Sequence, residues 1–150
     1  MKSLFEVGTV EEVKGRMALL RADSARQWGK MNAAQAMEHC ARGMELALGD
    51  RLPPRLLIGR ILGPIIKSKA FVDGEPMRRN SPTVPGLAVA VETDFVQGRE
   101  RLCGLVDRFV ASGPGGCTDH PHSFFGRLTP DEWSAWMYKH LDHHLRQFGV

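Results

Sequence analysis

Apolar residues recur along this chain at helical rather than strand spacing, and each periodic stretch is preceded by a polar residue able to cap a helix. Val10, Val13, Met17 and Leu20 form one stripe, three and four residues apart as one face of an α-helix requires. Thr9 with Glu12 three residues on reads as a capping box, so the first helix is expected over residues 10–23. A second helix is expected over residues 32–48, opened by Asn32 with Gln35 and closed by Gly49 and Asp50. Its main stripe is Met37, Cys40, Met44 and Leu48, and His39 lies on the neighbouring stripe with Ala36, Gly43 and Leu46. The small residues around His39 leave room for a ligand or for close helix contact, and the pattern does not choose between them. Residues 54–69 carry Ile58, Ile61, Leu62, Ile65 and Ile66, interrupted by Pro64, which removes a backbone donor and should kink or split a third helix. Gly59 and Gly63 permit close approach to a neighbour. Asp94 with Gln97 opens a fourth helix whose core face is Phe95, Leu102, Val106 and Phe109, and Gly113, Pro114, Gly115 and Gly116 stop it. Thr129 with Glu132, and Pro130 in the first turn, open the last helix, which runs to about Phe148 before Gly149.

Between these elements, residues 72–91 are irregular, with Gly74, Pro76, Pro82, Pro85 and Gly86, and carry only a weak strand signal at residues 87–91. A loop this long is expected either as a surface strap or as a cover over the mouth of a site, with Arg78, Arg79 and Asn80 as its polar contacts. No repeat or domain boundary interrupts the pattern. The expectation is an all-α fold, a four-helix bundle with an additional short or kinked helix and long loops, in one domain over residues 1–150.

Composition narrows the partners. A net charge of +3 is mildly basic, but acidic residues are interleaved and no Lys/Arg block appears, which argues against nucleic acid. The longest apolar stretch, residues 56–66, carries Arg60 and is too short to span a bilayer, so no membrane partner and a cytoplasmic location are expected. Three cysteines without a CxxC pair fit reduced thiols better than a disulfide framework. Cys40, about 100° around the helix from its neighbour His39, reads as core rather than nucleophile.

The candidate chemistry is in the histidines. Three of the six, His140, His143 and His144, lie on the last helix. Residues four apart differ by about 40° around a helix axis, so His140 and His144 point the same way and can share one metal ion. There is no HExxH, which removes the metalloprotease reading. An i, i+3 pair also meets, so His140 with His143 is the competing choice, decided by which pair faces the second helix. Met137, Leu141, Leu145 and Phe148 should pack on the side nearer His144, turning it inward and His143 toward the edge. If the bundle aligns His39 with that pair, three imidazoles leave an open metal position for water or substrate, in the style of catalytic rather than structural sites. His120 and His122 fall in the loop before the last helix and read as structural or solvent-facing.

The segments WGKMNAAQAMEHCARGM at residues 28–44 and HSFFGRLTPDEWSAWMYKHLDHHLRQFG at residues 122–149 resemble the DinB-like superfamily of metal-binding four-helix bundles and, more narrowly, the DUF1569 family within it. The resemblance covers nearly the whole chain in helix order. It implies one metal histidine on the second helix and two, four apart, on the last: His39, His140 and His144. It implies a divalent metal ion, zinc or nickel first and iron or manganese after them. Related branches include thiol-dependent S-transferases and hydrolases that use low-molecular-weight thiols such as bacillithiol or mycothiol; the DUF1569 branch carries no assigned activity. The implied function is a metal-binding protein, with metal- and thiol-dependent transfer or hydrolysis of a small electrophilic substrate as its chemistry. The ion would lower the pKa of a coordinated thiol or water. The alternative is a non-catalytic bundle that binds a small-molecule ligand or pairs with itself as a homodimer. The superfamily's HP-type element before the last helix appears here as His122–Ser123, with His120–Pro121 just upstream.

Overall fold

The computed structural model describes residues 1–72 and 75–150, apart from the Pro85 side chain. Gly74, one of the loop breakers named above, lies outside the described residues together with Asp73. The architecture is all-α: α1 (Val7–Leu19), α2 (Ala33–Leu48), α3 (Leu57–Ala70), α4 (Phe95–Ser112) and α5 (Pro130–Gln147), with 3-10 turns at Pro85–Leu87 and Pro114–Gly116. Helices α1, α2, α4 and α5 pack against one another around a single core. Val13 and Met17 of α1, Met37, Cys40 and Met44 of α2, Leu102, Val106 and Phe109 of α4, and Trp133, Met137, Leu141 and Leu145 of α5 are all buried there. Burial of each large apolar side chain contributes about 1.5–3 kcal/mol, so this shared core is what holds the bundle.

Local chemistry explains the ends. The Asn32 and Thr129 side chains accept from the third backbone N–H of α2 and α5, while Gln35 and Glu132 reach back to the cap N–H, completing both boxes. Asp94 caps α4 through the Gln97 N–H at 2.8 Å. The first helix departs from expectation. It starts at Val7, and Thr9 is a buried residue inside it whose hydroxyl donates to Glu6. Leu4 is fully buried and Phe5 stacks on Phe109 at 5.2 Å, so tertiary packing brings the chain into helix ahead of the Thr9–Glu12 signal. The same helix ends at Leu19, short of residue 23, because Leu20 turns extended into the core.

Helix α3 runs through Pro64 without splitting. Arg60 and Pro64 are both exposed, so water can serve the carbonyl that the proline leaves without a donor. Its inner face is made of glycine. A Cβ on Gly63 would lie 2.3 Å from the Phe124 carbonyl oxygen, and one on Gly59 would lie 2.7 Å from Phe124 Cα. The aliphatic side chains point the other way: Leu57 is 78% and Ile61 75% exposed.

Residues 87–91 form no strand; among the described residues the one β-type pairing is an isolated bridge between His122 and Gly126. The alternation behind the strand signal is real, since Leu87 and Val89 are buried while Ala88 and Ala90 are exposed. No second strand serves its backbone. Side chains of α2 do so: His39 takes the Leu87 carbonyl, Arg42 the Ala88 carbonyl and Gln35 the Val91 carbonyl. No described helix is long and apolar enough to cross a membrane.

Candidate metal centre

Helix α2 is buried on nearly every side because it packs on α4 with one face and on α5 with another. The second contact brings His39 against His140 and His144, one turn apart on α5. All three rings are buried, at 4%, 7% and 6% exposure. Ring centroids lie 4.8 Å apart for His39 with His140, 4.8 Å for His39 with His144 and 4.9 Å for His140 with His144. One ring nitrogen from each falls within 4.8 Å of the others. The apolar residues Met137, Leu141, Leu145 and Phe148 are buried, and the rotation of α5 they impose turns His144 inward.

Each imidazole is oriented by a different device. His39 Nδ1 is 2.9 Å from the Leu87 carbonyl, so this nitrogen carries the proton and Nε2 presents its lone pair to the cluster. His144 Nδ1 is 2.8 Å from Gln147 Oε1, while the Gln147 Nε2 group donates to the Trp28 carbonyl at 2.8 Å. That second bond fixes which end of the amide faces His144, so His144 also turns a bare Nε2 inward. His140 lies against the backbone of α2 where residue 43 is glycine: a Cβ there would stand 3.0 Å from both Cε1 and Nδ1 of the ring. Outer partners of this kind fix tautomer and ring direction in metal-binding histidines.

The donor set passes the physical test for an ion. Burial lowers the pKa of all three histidines: His39 below its ordinary value despite the Leu87 hydrogen bond, His140 well below, and His144 to about 3. All are neutral near pH 7, the form that ligates. His39 Nε2 and His140 Nε2 are 2.9 Å apart, bridged by the one proton that His140 carries. Two nitrogens on a tetrahedral ion at 2.0–2.1 Å stand about 3.3 Å apart, so a few tenths of an ångström of opening and a shift of the His140 proton to Nδ1 convert this hydrogen bond into a ligand pair. Three buried histidines so disposed could hold a metal ion.

The remaining titratable candidates lie elsewhere. His143 is half-buried and stands edge-on to Trp28 at 5.7 Å, outside the cluster. His122 is buried, but its Nδ1 accepts the Phe124 and Phe125 N–H groups of its own turn, both at 3.2 Å, and its ring stacks on Phe125. Desolvation lowers it to about 4. His120 Nε2 meets the Pro53 carbonyl at 3.0 Å. Both loop histidines are structural ties. The Cys40 thiol is buried in the core, and desolvation pushes its pKa far up, which excludes it as a nucleophile. Two supports escaped the sequence reading: the Leu87 carbonyl and Gln147. A signal existed for Gln147, three residues after His144 on one helix; none existed for a carbonyl in a loop. Gly43 was legible as room beside His39, and the structure fills that room with the His140 ring.

Beside the cluster lies a cavity of about 600 Å³ lined by Trp28, Met77, Arg78, Arg79, His143 and Arg146, among others. Of the long loop, Pro76, Met77, Arg78 and Arg79 line this cavity, and Asn80 follows them with a positive φ of 55°.

Comparison with curated proteins and with solved structures returned no match. The model of one family, described as a protein of unknown function (DUF1569), matches residues 5–149. That span takes in every helix and all three clustered histidines, and the chain belongs to the DUF1569 family.

Proposed function

We propose that this chain is a DinB-like divalent-metal protein in which His39, His140 and His144 are the ligands, with zinc or nickel the first choice of ion. The observation that carries the reading is the convergence of three neutral, individually oriented imidazoles on one point between α2 and α5. Three nitrogen donors favour a borderline ion over magnesium or calcium, which take oxygen ligands. Such an ion, held by three protein ligands, supplies Lewis acidity toward a thiol or water in its open position. The chain's own part is to present the three nitrogens, to keep them unprotonated by burial, and to exclude bulk water from the cluster. Cys40, Cys103 and Cys117 have pKa values raised first by desolvation, so a reactive thiol would come from a low-molecular-weight co-substrate. The reaction class this favours is thiol-dependent transfer to, or hydrolysis of, a small electrophilic molecule.

The test is elemental analysis of protein purified without a histidine tag, followed by alanine variants. One ion per chain, lost on His39→Ala, His140→Ala and His144→Ala and kept on His143→Ala, is the expected pattern. Retention in any of the first three sinks the ligand assignment. A non-catalytic, self-associating module is the second reading, favoured by the apolar outer face of α3. Metal-free protein of full stability that sediments as a dimer is the result that selects it.

A further inference from the structure

The cavity beside the histidine cluster has a composition that the metal reading does not use. Its lining side chains include three arginines, Arg78, Arg79 and Arg146, and one carboxylate, Asp142. Asp142 is already engaged: it accepts from Arg16 at 2.8 Å and from Arg146 at 2.9 Å. That leaves Arg78 and Arg79, neither of which pairs with a carboxylate among the described residues. The Arg79 guanidinium lies over the Trp28 ring, 4.1 Å from its centroid. Stacking fixes the plane of the guanidinium and leaves its N–H edge free, which is the arrangement that grips a carboxylate or phosphate through paired hydrogen bonds. Met77 supplies apolar surface beside these groups.

Two contacts tie this wall to the histidines. The His143 ring stands between Trp28, at 5.7 Å, and His144, at 5.0 Å. The Trp28 carbonyl holds the Gln147 amide that orients His144. A molecule seated in the cavity therefore touches Trp28 and His143, one residue removed from the cluster: Trp28 anchors the amide that orients His144, and His143 stands against its ring.

We propose that this cavity binds a small organic anion, its carboxylate or phosphate held by Arg78 and Arg79 and its apolar body against Trp28 and Met77. As the substrate or co-substrate class of the metal centre, this rests on the function proposed above; as a binding site, it stands on the arginines and the cavity alone. Benzoate and inorganic phosphate serve as probes, titrated by calorimetry into metal-free and zinc-loaded protein. Saturable binding of either to metal-free protein is expected, weakened roughly tenfold or more by Arg79→Gln and by the Arg78→Gln/Arg79→Gln pair, since both remove charge-assisted hydrogen bonds to the head group. Arg60→Gln, on the exposed side of α3, leaves it unchanged. The probe that binds identifies the head group. Both arginines are exposed, so these variants keep the fold, which circular dichroism verifies. Absence of binding by both probes, or equal binding by the double variant, overturns the proposal. Binding that needs zinc and ignores the arginines puts the anion on the ion: it overturns this site and leaves the metal reading standing. Anion binding that survives in a His140→Ala protein unable to take zinc does not depend on that reading.

Discussion

Placing a methyl group at residue 43 separates the fold from the proposed metal centre. Gly43 is an interior residue of α2, where glycine is less favourable than alanine by about 0.5–1 kcal/mol. The new Cβ of Gly43→Ala would stand 3.0 Å from Cε1 and Nδ1 of His140, whereas ordinary contact begins at 3.4 Å. The ring must therefore withdraw by about 0.4 Å, roughly twice the ±0.2 Å over which metal–ligand distances are held. In the metal-free protein the helix gain and the contact cost nearly cancel, so the melting temperature should stay within about 4 °C of wild type. Zinc affinity, measured by competition with a chromophoric chelator, should fall about tenfold or more, equivalent to about 1.4 kcal/mol. Gly104→Ala in α4 is the control, because a Cβ there meets nothing within 4 Å; it gains the helix term and leaves zinc affinity alone. Wild-type zinc affinity in Gly43→Ala would refute the placement of His140 as a ligand packed on the α2 backbone.

Removing the partner of His144 tests positioning: Gln147→Met, which keeps the length of the side chain but offers the Nδ1–H no oxygen, should weaken zinc about 10–100-fold. Wild-type zinc affinity in that variant would show that Gln147 acts only through packing. His122 contributes its own share of acid lability beside that of the clustered histidines. Its folded pKa, about 4, lies below the ordinary 6.5, so the unfolded chain takes up the proton first and stability falls as pH drops from about 6.5 to about 4. The span corresponds to about 3 kcal/mol. Urea midpoints should therefore show the advantage of wild type over His122→Asn shrinking across that window, and parallel curves would contradict it. Gly63→Ala should destabilise by about 1–3 kcal/mol by forcing α3 off the Phe124 backbone, against a small gain for Gly104→Ala; matched urea midpoints would mean that α3 does not bear on that loop.

The readable parts of this molecule are those written in local spacing. The boxes at Asn32 and Thr129 work as their sequences say because nothing upstream competes with them. The pattern at Thr9 and Glu12 is just as good on paper, yet Leu4 and Phe5 are drawn into the core and start the helix early. The stripe of Met137, Leu141 and Leu145 carried enough information to turn His144 inward and leave His143 at the edge, because helix geometry links the two faces rigidly. The meeting with His39, 101 residues before His140, had no local sign and came from family resemblance. The Leu87 carbonyl had none either, since every residue carries one. Helix α3 shows the opposite failure: its aliphatic run looks like core, but contact with the Phe124 backbone is close enough to admit only glycine, and the aliphatics are turned outward.

That inversion divides the chain into two tiers of cooperativity. The bundle helices share one core, so their amides exchange with solvent only when the whole of it opens. Helix α3 has only glycines buried in its interface, held by the Leu56 N–H on the Ser123 carbonyl and the Lys67–Glu132 ion pair. Its detachment exposes little apolar surface that was not already wet, so it carries little of the hydrophobic penalty and little of the heat-capacity change of global unfolding. Amide exchange in Leu57–Ala70 should accordingly outrun that of α2 and α5 and respond only weakly to urea, the signature of local opening from a bundle that stays intact.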